Sequence, residues 1–179
     1  MLRFERIDFW IARLSAWTVI VLMAVMTFVI LLGVYYRYLL NDALTWSEEV
    51  ARYSQVWLTM IGAGLVLRTG NHVAVNFVVQ RLPSGARWVT VKIGQALMVS
   101  FLLLMLIFGG DMARRVMYQE SAALEFSMSL PNLAIPVGAA LMIYHLLVQA
   151  FWPLASRPSL MQLIGGGRRE DLDETGQEL

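Results

Sequence analysis

The sequence predicts an all-α integral membrane protein, a bundle of four transmembrane helices with two further helices at the membrane interface. Of its 179 residues, 58% are hydrophobic and only 15% are charged, whereas a soluble domain carries about a quarter of its residues as charge. The mean hydropathy of +0.61 points the same way. This composition excludes a disordered chain, and the absence of Cys excludes a disulfide-linked fold and a thiol catalyst.

The first predicted span is residues 14–36, an uncharged run of 23 residues bounded by Arg13 and Arg37. A helix needs about 20 mainly apolar residues to cross a hydrocarbon core about 30 Å thick. The run is also longer than the apolar core of a cleaved signal peptide, so we expect it to be retained.

The other three spans are predicted over residues 49–67, 89–110 and 132–154, which are apolar runs with few charges. Residues 1–156 are therefore expected to form one membrane domain. Residues 157–179 form a tail whose Gly-rich, acidic end is expected to fray.

Two shorter stretches predict helices that lie along the membrane surface. Ahead of the first span, apolar residues recur at helical spacing among polar ones, at Phe4, Ile7, Ile11 and Leu14. Residues 72–82 are too short to span, and Pro83 follows them. Although the apolar residues in this second stretch also alternate as in a strand, an open strand exposed to lipid would leave its backbone groups unpaired, so we favour an interfacial helix.

The orientation follows from the distribution of Lys and Arg, which are enriched in cytoplasmic loops. Ten of the 14 basic residues fall in the N-terminal segment, the second loop and the C-terminal tail. Both termini are therefore predicted to be cytoplasmic, with the first and third loops outside.

The start of the second span carries the most informative charges. Thr45 followed three residues later by Glu48 fits a capping box, in which side chains satisfy unpaired N–H groups of the first helical turn. Arg52 lies four residues after Glu48 and three after Glu49, so either acid can pair with it on one helix face. Trp46 fits an aromatic anchor at the membrane interface. Because an ionised group a turn inside the bilayer is costly, we expect the helix to turn the face of Arg52 toward another polypeptide.

The spans lack the groups that transport or catalysis would require. Apart from Arg52 and Lys92 near span ends, no acid or base is predicted near the membrane midplane. His145, near the middle of the fourth span, is interpreted as a hydrogen-bonded packing residue, and no metal site is predicted. We therefore expect an accessory subunit with no enzyme activity, no cofactor and no nucleic-acid partner. Two alternatives stay open: a self-contained small oligomeric carrier, and an anchor subunit of a membrane redox complex that uses His145.

Several groups of residues form a further pattern along the chain: Arg37-Tyr38, Leu44 to Arg52 with its Trp-Ser-Glu-Glu-x-x-Arg block, Trp57 with Gly62-Ala63, Arg68, His72-Val73, Leu130-Pro131 and Ile135-Pro136-Val137-Gly138. Together they resemble the small membrane subunit (the Q, or DctQ-like, component) of tripartite ATP-independent periplasmic (TRAP) transporters. The resemblance covers residues 11–153. Asn76 departs from it, because the family often has an acid four residues after the His.

The resemblance implies a subunit of a sodium-driven importer in the bacterial inner membrane. Its substrates would be organic anions, such as C4-dicarboxylates, sugar acids or other carboxylates. The implied partners are a large many-span membrane subunit, a periplasmic substrate-binding protein and membrane lipid. The small subunit would brace the large one and help to dock the binding protein. The residues expected to serve assembly and docking are Arg37, Trp46, Glu48, Glu49, Arg52, Trp57, Arg68 and His72.

Overall fold

The computed structural model of the chain describes residues 2–68 and 84–151, together with residue 164. The described residues form five helices, and their only β-type pairing is an isolated bridge between Glu120 and Ser127. The helices are α1 (Leu2–Leu39), α2 (Thr45–Arg68), α3 (Ser84–Arg115), the single turn α4 (Ser129–Asn132) and α5 (Ala134–Phe151). The predicted interfacial helix over 72–82 and the tail, apart from residue 164, lie outside the described residues.

Among the described residues, three helical segments are long and apolar enough to cross a membrane: Arg6–Leu39, Lys92–Arg115 and Ser129–Val148. They correspond to the first, third and fourth predicted spans. The second predicted span does form a helix, the 24-residue α2, but α2 is not among these three segments. Glu48, Glu49 and Arg52 lie in its first two turns and lower its hydropathy. The all-helical prediction is confirmed, and the count of four spans stays a prediction.

The helix α1 runs unbroken through the predicted interfacial segment and the first span. Its 38 residues extend over roughly 57 Å at 1.5 Å per residue, well beyond a hydrocarbon core of about 30 Å. Since no break separates the two segments, the structure describes one long helix in place of a short surface helix followed by a span.

The described helices are neighbours in the order α1, α2, α5, α3. The first pair is antiparallel, because Asp8 contacts Arg68 at one end while Gly33 lies beside Ser47 at the other. By contrast, α2 and α5 are parallel, since Gly138 lies against Met60 and His145, two turns further on, lies beside the later Gly64. The main contacts between the described helices therefore run in a row. Such a row is possible because helices in lipid associate through close packing and gain nothing from hiding apolar side chains.

The row is held by small residues and by a core around α5. A Cβ on Gly138 would lie 2.6 Å from the Cβ of Met60, so the backbones of α2 and α5 meet closely there. Gly109 of α3 contacts α5 in the same way. The buried core cluster joins α2, α3 and α5 through Leu67, Leu102 and Met142. The outer faces of α1 and α3 keep many exposed aliphatic and aromatic side chains.

Candidate functional site

An exposed ion pair joins the end of α1 to the start of α2. The Arg37 Nη2 atom donates to Glu48 Oε1 at 2.5 Å, and both side chains are more than half exposed. Between them the chain turns through Asn41, which has a φ of 51°, a left-handed conformation that Asn tolerates better than most residues. Together with Tyr38 and Ser47, the pair lines a shallow groove between the two helices. An exposed pair of this kind stabilises a fold by at most about 1 kcal/mol.

The neighbouring carboxylate, that of Glu49, binds a loop that is distant in the sequence. It accepts hydrogen bonds from the Ser121 hydroxyl, from the Ala123 N–H at 3.3 Å and from the Leu124 N–H at 3.2 Å. We call residues 116–128, which connect α3 to α4, the anchored loop. Through these bonds Glu49 holds the loop against the N-terminal part of α2, and Ser121 is buried there.

Further backbone bonds close the anchored loop on itself. The Ser121 N–H donates to the Phe126 carbonyl at 2.8 Å, and the Met128 N–H donates to the Gln119 carbonyl at 2.8 Å. The Tyr53 hydroxyl of α2 lies 3.5 Å from the Met128 sulfur. These bonds hold the loop together and place it against the start of α2.

In the structure, the acids at the start of α2 have partners other than the one that the sequence predicts. Glu48 pairs with Arg37 and Glu49 binds the anchored loop, so neither makes the predicted pair with Arg52, whose side chain is exposed. At the start of α2, the N–H and the hydroxyl of Ser47 both donate hydrogen bonds to the Leu44 carbonyl. The prediction of pairing along one helix face is thus wrong, because the carboxylates find partners on other elements.

A second ion pair is buried at the opposite end of the same two helices. The Arg68 Nη2 atom donates to Asp8 Oδ2 at 2.8 Å, and the side chains are only 4% and 3% exposed. The hydroxyl of Tyr144 on α5 is buried and interacts electrostatically with both charges. The pair therefore joins α1 to α2 close to Tyr144 of α5.

Arg68 belongs to the set predicted for assembly, whereas Asp8 was missed by sequence reasoning. A signal for Asp8 exists in the residues that share its helix face. Ala12, Ser15 and Ala16 follow it at spacings of four, seven and eight residues, and all are buried. A stripe of small residues marks a face where another helix approaches, so an acid on that stripe is expected to meet a partner from that helix.

His145 lies at the level of Gly64, toward the end of α2 that carries Arg68. Its side chain is 1% exposed, and its Cδ2 atom is 3.8 Å from the position that a Cβ on Gly64 would occupy. Its ring meets that of Tyr144 edge to face, with centroids 5.3 Å apart. These contacts are those of a packed residue in the α2–α5 contact.

Three predicted site residues remain to be placed. Trp46 and Trp57 are half-buried on α2, and His72 lies outside the described residues. The structure thus brings Arg37 and Glu48 together, joins Glu49 to the anchored loop, and places Arg68 at the far end of α2.

Comparison with known families settles the class of the chain. Residues 26–156 match the model of the DctQ component of tripartite ATP-independent periplasmic transporters. The chain belongs to the DctQ family. It is a small membrane subunit of the TRAP class, and the resemblance in its motifs is confirmed. The matched residues include Arg37, Glu48, Glu49, Arg68 and the anchored loop, whereas Asp8 precedes them.

Individual DctQ relatives agree with this assignment. The chain is 29% identical over 130 residues to the sialic acid TRAP transporter small permease protein SiaQ of Vibrio cholerae, covering 73% of this chain and 71% of that protein. It is 30% identical over 110 residues to the C4-dicarboxylate TRAP transporter small permease protein DctQ of Rhodobacter capsulatus, covering 60% and 48%. A DctQ protein of Vibrio cholerae is 22% identical across 98% of this chain and 86% of its own length.

Proposed function

We propose that this chain is the small permease subunit of a sodium-driven importer of organic anions, such as C4-dicarboxylates, sugar acids or other carboxylates. It braces a large many-span subunit in the bacterial inner membrane and helps to dock a periplasmic substrate-binding protein. The observation that carries this proposal is the DctQ family match over residues 26–156. Relatives named for sialic acid and for C4-dicarboxylates point to carboxylate substrates.

The contacts of the charged side chains within this chain support the bracing role. The pairs Arg37–Glu48 and Asp8–Arg68 and the bonds of Glu49 all join elements of this chain to one another. These contacts stabilise the relative positions of the helices in the row. The exposed apolar faces of α1 and α3 then offer the surfaces on which a large membrane subunit and lipid can pack.

The proposed topology has four spans, with both termini in the cytoplasm. In support, α2 lies in the row between α1, which contains one segment able to cross the membrane, and α5, which forms most of another. Its 24 residues extend over roughly 36 Å, which is enough to cross beside them. The Glu48 end of α2 and the anchored loop then face the periplasm.

The residues proposed for assembly and docking fall into two groups, those that contact partner subunits and those that stabilise the chain itself. Arg52 is exposed and Trp46 and Trp57 are half-buried, so these three are proposed to contact partner subunits directly. Glu49 and Arg68 act through the shape of the chain. Arg37, Glu48 and His72 complete the proposed set.

Uptake by cells that express all three components, with and without this chain, tests the proposal. We expect sodium-dependent uptake of a carboxylate panel containing C4-dicarboxylates and sugar acids only when the chain is present. A tag on the chain should also retain the large subunit in mild detergent. Unchanged uptake without the chain would contradict the proposal, and so would failure to recover the large subunit.

A further inference from the structure

The anchored loop has a fixed backbone but leaves its largest side chains unpacked. Tyr118 is 90% exposed and Phe126 is 58% exposed. Fixing a loop of this length costs conformational entropy, roughly 1 to 2 kcal/mol per residue for the backbone. Packing of these two rings within the chain contributes little to offset that cost. The bonds of the loop backbone therefore hold both rings at the surface of the chain.

The backbone next to Phe126 is held in a conformation that few residues adopt. Glu125 has a φ of 55°, which is uncommon for a residue other than Gly, Asn or Asp. Strained residues of this kind persist where the surroundings fix them, and they concentrate at binding sites. Here the Ser121 N–H bond to the Phe126 carbonyl and the bonds of Ser121 and Leu124 to Glu49 supply that constraint.

The charge of the anchored loop indicates the chemistry of its partner. The loop contains two exposed acids, Glu120 and Glu125, and no Lys or Arg. Two exposed basic residues, Arg114 and Arg115, lie directly before the loop, and Arg115 is paired with Asp111. Aromatic side chains bordered by acids suit a protein surface with an apolar pocket bordered by basic side chains.

We propose that the anchored loop is a docking surface for the soluble substrate-binding subunit, which it contacts through Tyr118 and Phe126 bordered by Glu120 and Glu125. This inference rests on the proposed function, which supplies a soluble partner on the same side of the membrane. The partner's matching surface is apolar at its centre and basic at its rim. The bonds of Glu49 serve this contact by fixing the loop before the partner arrives, which lowers the entropy cost of binding.

The test measures binding of the purified substrate-binding protein of the same transport system to the complex of this chain with its large subunit in nanodiscs. The first variant combines Tyr118→Ala with Phe126→Ala, and the second combines Glu120→Lys with Glu125→Lys. The matched control is Asp42→Lys, an exposed acid in the turn between α1 and α2, at the same end of the helices. Retention of the large subunit and the melting temperature of each complex check its integrity.

We expect the aromatic variant to raise the dissociation constant by about tenfold or more, because exposed aromatic residues contribute most of the affinity in many interfaces. The acid reversal should raise it by about fivefold at low salt and less at high salt, because charges at an interface rim act through screened attraction. The control should change it by less than about twofold, since Asp42 lies outside the loop.

Three outcomes would overturn the proposal. In the first, wild-type complex binds the soluble protein and the aromatic variant binds it equally well, which leaves the proposed function standing. In the second, the aromatic variant loses the large subunit, which would mean that this subunit covers the loop. In the third, wild-type complex binds no soluble protein, which contradicts the proposed docking role as well.

A labelling experiment separates a protein partner from the membrane. Because the chain has no Cys, Phe126→Cys introduces a single thiol into it, and unmutated complex gives the background from other subunits. An environment-sensitive fluorophore at this position should report water in nanodiscs alone and a less polar site when the soluble protein is added. A less polar signal in nanodiscs alone would show that the loop is covered by lipid or by the large subunit, and would overturn the proposal.

Discussion

Replacing Asp8 by Asn is expected to destabilise the chain more than removal of a charge from either of the two exposed ion pairs that the structure shows. The Asp8 and Arg68 side chains are 3% and 4% exposed, with 2.8 Å between Oδ2 and Nη2. Asn keeps the size of the side chain but withdraws the carboxylate from a buried guanidinium. Breaking a buried pair in this way costs about 3 to 5 kcal/mol, because the guanidinium stays buried after it has lost this carboxylate.

The chain contains a matched control for this prediction. Asp111 and Arg115 of α3 form a pair at the same 2.8 Å, but their side chains are 53% and 76% exposed. Water and salt screen such a pair, so Asp111→Asn should cost at most about 1 kcal/mol. Since the two pairs agree in distance, the difference between their variants measures the effect of burial.

The assay is thermal unfolding of the purified chain in mild detergent, followed by circular dichroism. At about 2 to 4 °C per kcal/mol for a chain of this size, Asp8→Asn should lower the Tm by about 6 to 20 °C. Asp111→Asn should lower it by less than about 4 °C. Replacing both buried partners, Asp8→Leu with Arg68→Met, should restore most of the loss, because apolar substitutes of similar size remove both buried charges together. Equal, small shifts for the two single variants would refute the reasoning.

Two further predictions concern the anchored loop and the α2–α5 contact. Glu49→Gln turns an amide group toward the N–H donors of the loop, so we expect amide hydrogen exchange there to accelerate by about tenfold or more, while Glu48→Gln leaves it unchanged; equal exchange in both would show that Glu49 does not hold the loop. Gly138→Ala places a Cβ 2.6 Å from that of Met60 and should destabilise the chain by about 1 to 3 kcal/mol in the same unfolding assay. Gly62→Ala, with nothing within 4 Å, should be neutral or stabilising by up to about 1 kcal/mol, and equal losses for the two would contradict the contact.

The helices could be predicted from the sequence because lipid imposes a length and a composition on a span. The uncharged run over residues 14–36 lies inside α1, and the predicted span over 89–110 lies inside α3. The boundaries differ because hydropathy marks where lipid surrounds the chain, whereas the helix continues into water for as long as its backbone bonds continue. Nothing in the apolar pattern distinguishes an open row from a bundle, since helix faces that meet lipid and faces that meet protein are equally apolar.

The contacts of the charged residues were much harder to predict. Spacing along a helix names neighbours three and four residues away, and it suggested Arg52 as the partner of Glu48. The actual partner, Arg37, is on the preceding helix. The donors to Glu49 lie more than 70 residues further on, and Asp8 lies 60 residues before Arg68. A single sequence holds no periodicity that relates positions so far apart.

The two ion pairs of α1 lie too far apart for both to be inside the hydrocarbon core. Asp8 and Arg37 are 29 residues apart within α1, which corresponds to roughly 43 Å along the helix axis. Even at a tilt of about 40°, the upper end of the usual range, the separation across the bilayer is about 33 Å, still more than the core thickness of about 30 Å. If α1 crosses the membrane, one ion pair joins it to α2 near each membrane surface. Between the two pairs, the apolar residues of α1 contact α2 by packing. A helix fastened at both ends in this way resists tilting against its neighbours, which is the mechanical property that the proposed bracing role requires.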